Sequence, residues 1–182
     1  MDPAGAAGTS FALGSEIEGT RDGGLTALDG GLAATYVGDR QVWVQRLDED
    51  LTPSGAALSL GGVSPNGVPP ALDVDGALSV VFVRQELDDG GVVVSASVRV
   101  ARVMGSGTPT SSAISTELDG YAPDADRAGD SLAVVWQRNG LEPIPGTGIT
   151  TADVVLARAS ATGAWVSEEL VLSVAPAGIA FG

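Results

Sequence analysis

The chain contains no cysteine, no histidine and no lysine in its 182 residues. Each absence removes chemistry. Without Cys there is neither a disulfide framework nor a thiolate metal site. Without His there is no His-based catalytic triad and no His-ligated zinc. Without Lys there is no P-loop lysine and no Schiff base. The G-x-S-x-G frame is also missing; the nearest serine, Ser64 in GGVSPNG, lacks it. Positive charge comes from Arg alone, 9 residues against 23 Asp and Glu, for a net charge of −14. Such a surface repels nucleic acid and anionic membranes, so neither is an expected partner. Aromatics make up only 4% while apolar residues make up 44%. Gly, Ala and Val dominate, which suits closely stacked sheets better than a helical bundle, and no window sustains a helical period. Apolar runs fall short of the roughly 20 residues a membrane helix needs. The opening MDPAGAAGTSFALG has neither the basic region nor the apolar core of a signal peptide.

What the chain has is a repeat. The stretch PPALDVDGALSVVFVRQ, Pro69 to Gln85, reads as an extended segment, a turn at Asp75-Gly76, and a strongly apolar segment. Asp-Gly between apolar runs is a strong hairpin signal, because a type I′ turn needs positive φ at both central residues. The second hairpin strand opens at Leu32, Leu78 or Leu132, and four positions later stands Tyr36, Phe82 or Trp136. The preceding turns are Asp29-Gly30, Asp75-Gly76 and Gly129-Asp130, all residues that tolerate positive φ. A third strand ends at the evenly spaced Arg46, Arg102 and Arg158, and a weaker fourth strand closes each unit.

Four short strands per unit, repeated, predict an all-β protein of about three four-stranded antiparallel β-propeller blades. A β-sandwich of this length is the alternative, but it does not predict the same aromatic and the same Arg at matching places. Residues 1–8 read as a disordered tail and residues 9–18 as the outer strand of a preceding blade. The three units occupy 23–60, 67–118 and 121–172, and 173–182 reads as the stub of a further unit. Three blades with an orphan strand do not close a ring. The expected explanations are a fragment of a longer protein or a homodimer completing one ring.

The segments PPALDVDGALSVVFVRQ, APDADRAGDSLAVVWQ and VWVQRLDEDLTPSG together resemble a β-propeller-type repeat of large secreted or surface-attached bacterial proteins. The resemblance covers nearly the whole chain. It implies a scaffold or binding module outside the cell, although the chain shows no export signal. The calcium-binding FG-GAP type of blade is a weaker likeness, since its denser Asp loop is represented here only by Asp73-Val74-Asp75-Gly76.

Candidate residues follow from this frame. Tyr36, Phe82 and Trp136 are expected to fill the space between blades, and Trp43 and Trp165, which share no repeat position, to lie at the surface or rim. Arg46, Arg102 and Arg158 are expected to tie strands to carboxylates or loop carbonyls. The connections 85–97 and 137–153 read as long loops on one face, where recognition of a protein or glycan would concentrate; their candidate ligand residues are Glu86, Asp88, Asp89, Arg138, Asn139 and Glu142. Asp73 and Asp75, and Asp124, Asp126 and Asp130, could supply part of a Ca²⁺ shell, or serve simply as turn residues. No cofactor beyond Ca²⁺ is implied. The expected role is a non-catalytic binding scaffold. A propeller glycoside hydrolase or lyase, working through a carboxylate pair, and a Ca²⁺-stabilised array are the alternatives.

Overall fold

The computed structural model describes residues 21–62, 69–91, 93–105, 107–115, 121–143, 150–167 and 169–176. The expected tail at 1–8 and strand at 9–18 lie outside the described residues, as do 177–182 of the expected stub. Among the described residues there is no helix, and hence none long and apolar enough to cross a membrane. The strands form three four-stranded antiparallel sheets, each in sequence order. The first sheet contains β1 (Arg21–Leu28), β2 (Gly31–Gly38), β3 (Gln41–Leu47) and β4 (Leu58–Gly61). The second contains β5 (Ala71–Val74), β6 (Ala77–Leu87), β7 (Val93–Val103) and β8 (Thr110–Ala113). The third contains β9 (Tyr121–Ala128), β10 (Ser131–Pro143), β11 (Thr150–Ser160) and β12 (Leu170–Pro176). β12 reaches Pro176, beyond the boundary expected at Leu172, so Ala175-Pro176 finish the third sheet opposite Ala152 and Thr151.

The turns form where the sequence demands them. Asp75 and Gly76 have φ of 53° and 72°, as a type I′ turn requires. Asp39 and Arg40, between β2 and β3, also sit at positive φ (46° and 56°). In the third sheet only Gly129 of the Gly129-Asp130 pair does so, at 67°.

The sheets stack face to face, with their first strands β1, β5 and β9 in succession as neighbours. Strand alternation gives each sheet two faces. In β6, Leu78, Val80 and Phe82 face the first sheet and pack on Ala33, Val42 and Val44. The alternate residues Val81 and Val83, with Val98 and Val100 of β7, face the third sheet and meet Leu132, Val134 and Trp136. The second and third sheets thus each turn a rear face carrying Leu and an aromatic toward the sheet before, and the first and second each turn a front face of smaller, mostly β-branched residues toward the sheet after. Tyr36 obeys the same rule. It lies opposite Trp43, on the face of the first sheet turned away from the second, and is 4% exposed.

Polar groups between sheets find partners. Thr26 Oγ1 donates to Ala71 O (2.7 Å), Thr35 Oγ1 to Pro69 O (3.0 Å) and Ser79 Oγ to Ala161 O (2.9 Å). An exposed Arg127–Asp75 ion pair at 3.7 Å also spans the second and third sheets; at such exposure it contributes little.

Burial of each large side chain in these interfaces stabilises by roughly 1.5–3 kcal/mol, and truncation adds the cost of the cavity left behind. Phe82→Ala and Trp136→Ala should therefore each lose about 3–5 kcal/mol in denaturant unfolding. Trp165→Ala, at a half-exposed rim position, should stay within about 0.5 kcal/mol of the parent.

Candidate functional site

The connections expected as long loops are mostly strand. β6 and β7 remain paired from Leu78↔Val103 out to Leu87↔Val93, whereas β5 ends its pairing at Ala71↔Val80 and β8 at Arg99↔Ala113. Beyond their edge strands, β6 and β7 continue as a two-stranded arm. The arm closes at Asp88–Gly91: Gly90 N donates to Asp88 Oδ1 (2.9 Å), and Gly91 N to Asp88 O (2.9 Å) with Gly91 at φ 79°. In the third sheet β10 and β11 likewise continue through Arg138↔Asp153 and Asn139↔Ala152 to Pro143↔Thr150. The physical reason is composition. Val93-Val94-Ser95 and Thr150-Thr151 are good strand formers, and within the β6–β7 connection only Asp88–Gly91 carries turn chemistry. β6 and β10 are equivalent strands of equivalently stacked sheets, so the two arms rise from the same end of the stack.

The second-sheet arm is an open surface. Val93 and Val94 are 38% and 50% exposed. Glu86, Asp88 and Asp89 are exposed around them. Arg84 pairs with Glu86 at 3.9 Å, both about half exposed. At the root, Arg99 donates to Ser111 through Nε (Oγ, 3.4 Å) and Nη2 (carbonyl, 3.2 Å). Burial, reinforced by the like charge of Arg84, pulls its pKa below the ordinary value, and Glu86 opposes this.

Arg138, expected among the ligand-binding residues, is tied into the third sheet. Nη1 donates to Glu169 Oε2 (2.7 Å) and Nη2 to Asp153 Oδ2 (3.4 Å), with all three side chains mostly buried. It clamps β10, β11 and the approach to β12 at the root of the second arm. The side chains of Asn139 and Glu142 lie outside what is described.

The repeated arginines occupy one register position, Arg46 opposite Ala33, Arg102 opposite Ser79 and Arg158 opposite Ala133. Their partners differ. Arg158 Nε donates to Ser131 Oγ (2.5 Å) and Nη2 to Ala128 O (2.9 Å), which binds the β9–β10 turn to β11. Arg46 Nε is buried without a partner. The reason is Gly31, which stands where the third sheet has Ser131. Gly31 holds φ 155°, and any Cβ there would run into the Leu47 carbonyl oxygen. No hydroxyl can therefore be supplied at that position. Arg102 is half-buried, with Ala77 in the place of Ser131. The groove beside Arg46, about 100 Å³, is rimmed by Asp29, Asp48 and Ser54, and its two carboxylates disfavour an anionic ligand.

The acidic candidates serve local amides. Asp73 Oδ1 accepts from Gly76 N (3.0 Å), Asp124 Oδ1 from Ala125 N (2.9 Å) and Asp126 Oδ1 from Arg127 N (2.7 Å). Asp75 meets Arg127, and Asp130 is exposed in its turn. Among the described residues no three acidic side chains converge as metal ligands would. Sequence reasoning missed Asp48 as a loop organiser. It accepts from Asp50 N (3.1 Å), from Thr52 N (2.8 Å) and from the Thr52 hydroxyl. Thr52 therefore holds the Asp48 carboxyl below the usual carboxylate range. The Asp-x-x-x-Thr spacing was the available signal. Burial pushes the Tyr36 phenol above its ordinary value.

No family model matches the chain, and neither a curated protein nor a solved structure matches it significantly.

Removing the hydroxyl that serves Arg158, in Ser131→Ala, should cost about 1 kcal/mol, and a double-mutant cycle with Arg158→Met should show positive coupling. For Asp48 the sign is set by a lowered carboxyl. Its loop bonds favour the charged form, so they are intact above the ordinary carboxylate range and are lost as pH falls through the folded-state value. Hydrogen exchange at 50–52 should accordingly be faster in Asp48→Ala than in the parent at neutral pH, and the difference should shrink as pH is taken down through and below the ordinary carboxylate range.

Proposed function

We propose that the chain is a non-catalytic binding scaffold, a run of β-propeller blades whose paired-strand arms recognise a partner at one end of the stack. The observation that carries this reading is the β6–β7 arm. A rigid ladder lifts exposed Val93 and Val94 and the acidic Glu86, Asp88 and Asp89 clear of the edge strands. Exposed apolar residues beside acidic ones suit a protein surface bearing basic groups, with charge steering the encounter and apolar contact supplying affinity. A glycan is the other ligand class open to such a surface. Two further features support the scaffold reading. Leu and an aromatic recur on the rear face of every sheet, and Asp73, Asp124 and Asp126 are engaged with backbone amides and Asp75 with Arg127. A place outside the cell rests on the resemblance to secreted and surface repeats alone.

The test is binding to arrayed glycans and to immobilised basic proteins, with parent and arm variants compared. Val93→Asp/Val94→Asp and Asp89→Arg should each reduce binding by about tenfold or more while leaving the melting curve unchanged. Binding indifferent to both variants, or turnover of glycosidic substrates, would sink the proposal.

A further inference from the structure

The rear face at the root of the β6–β7 arm gathers two arginines. Arg99 stands directly opposite Phe82, and Arg84 lies two residues beyond Phe82, opposite Ser97. The two therefore share the face of Phe82 on a diagonal of the ladder, within reach of long side chains. Gly62, just past β4, closes on the stem of Arg84. A Cβ there would come within 3.1 Å of Arg84 Cβ and Cγ and 3.2 Å of Phe82 Cε2. The hairpin of the first sheet stops at Gly38↔Gln41, the pair equivalent to Arg84↔Ser97. Among the described residues its ladder does not rise in front of the arm, and Arg84 is half-exposed.

Most of the hydrogen-bonding capacity of this pair is unspent. A guanidinium carries five N–H donors. Among the described residues the ionic contact of Arg84 is Glu86 at 3.9 Å, too long for a hydrogen bond. Arg99 gives its Nε hydrogen and one Nη2 hydrogen to Ser111. That uses its side edge and leaves the end edge, Nη1 and the second Nη2 hydrogen, free among the described residues. Burial, and then the like charge of Arg84, pulls the Arg99 pKa below its ordinary value, and Glu86 opposes this. In a chain of net charge −14, two arginines side by side with one distant carboxylate are a local excess of positive charge.

We propose that Arg84 and Arg99 bind an acidic side chain of a partner protein, so that the arm reads a carboxylate at its root and basic groups toward its tip. The kind of partner rests on the reading of the arm as a protein-recognition surface; the anion site itself does not. A planar carboxylate matches the free fork edges of both guanidinia. Glu86 beside the pair, and the net charge of the chain, weigh against a doubly charged phosphate. A uronic acid of a glycan carries the same carboxylate. However, residues 83–97 contain no aromatic on which a sugar ring would stack, whereas exposed Val93 and Val94 suit the apolar contacts of a protein. The sign of the arm changes along its length, from Arg84 and Arg99 at the root to Asp88 and Asp89 at the tip. A segment laid along it is thereby held in one direction.

The test is a titration of the full chain with sodium acetate, exchanged for sodium chloride at constant ionic strength, and followed by NMR of the arginine Nε–Hε groups. Arg84 and Arg99 should shift together and saturate with one midpoint, on the order of millimolar or above for so small a ligand. Arg40 and Arg127, exposed elsewhere on the chain, should not share it. Arg84→Gln and Arg99→Gln should each raise the midpoint by about tenfold, and Arg127→Gln should leave it unchanged. Shifts that rise without saturating, shifts followed equally by Arg40, or a midpoint indifferent to Arg84→Gln overturn the proposal. Arg99 also ties β7 to β8, so melting curves accompany its variant. If Arg99→Gln does not fold, Arg84→Gln at its half-exposed position decides the matter. A second titration sets N-acetylglutamate methylamide against glucuronate. The glutamate compound should bind more tightly; the reverse order reassigns the site to a glycan and overturns the choice of partner. Neither titration needs the partner protein, so failure here is read separately from failure of the arm variants above.

Discussion

The structure depends on one asymmetry between the two faces of each sheet. The rear face carries a Leu and, four residues further along the strand, an aromatic; the front face carries smaller residues such as Ala33, Val44, Val81 and Val100. Large side chains of one sheet therefore settle onto a floor of small and β-branched ones, which lets sheets approach closely in a chain with few aromatics. The second sheet shows the effect most fully. Every residue from Ala77 to Val83 is buried, because the strand has a neighbour on both sides.

Polar groups are fitted into this apolar frame individually rather than by repeat. Thr35 reaches the Pro69 carbonyl, whereas Val81 and Val135 at the same position reach nothing polar. Ser79 reaches the Ala161 carbonyl, whereas Ala33 and Ala133 at the same position have no hydroxyl. The arginines follow suit. A common register position gives three environments, since the residue two places before the register partner is Gly31, Ala77 or Ser131. A buried Nε without a partner at Arg46 is the cost of the backbone that Gly31 must adopt.

The apolar frame was largely legible in the sequence. Asp75-Gly76 announced its turn, and the Leu-x-x-x-aromatic spacing announced both the sheet and the face it buries. The arms were not legible. Gln85 to Ser97 holds Glu, Asp, Gly and Ser in a density that reads as loop, yet Arg84↔Ser97 and Glu86↔Ser95 are ladder pairs. Gln85, Glu86, Ser95 and Ser97 are polar whichever way they face, so this stretch lacks the apolar–polar alternation that reveals a half-buried strand. The ion pairs of Arg138 were illegible for a different reason. Its partners Asp153 and Glu169 are brought beside it only by the antiparallel return of β11 and the approach to β12, and sequence separation gives no hint of that.

Each sheet is built from one uninterrupted stretch of chain, and each presents its bulky face backward. During synthesis a sheet can complete its own ladders from residues already made, and the surface it needs for docking has also already emerged, on its predecessor. Assembly thus acquires a direction. Leu78 and Phe82 close over a floor that exists before they are translated, and Leu132 and Trp136 do so in turn. The growing polypeptide exposes at any moment only its newest front face, and the large side chains that would draw it into misassembly find their place as soon as they leave the ribosome.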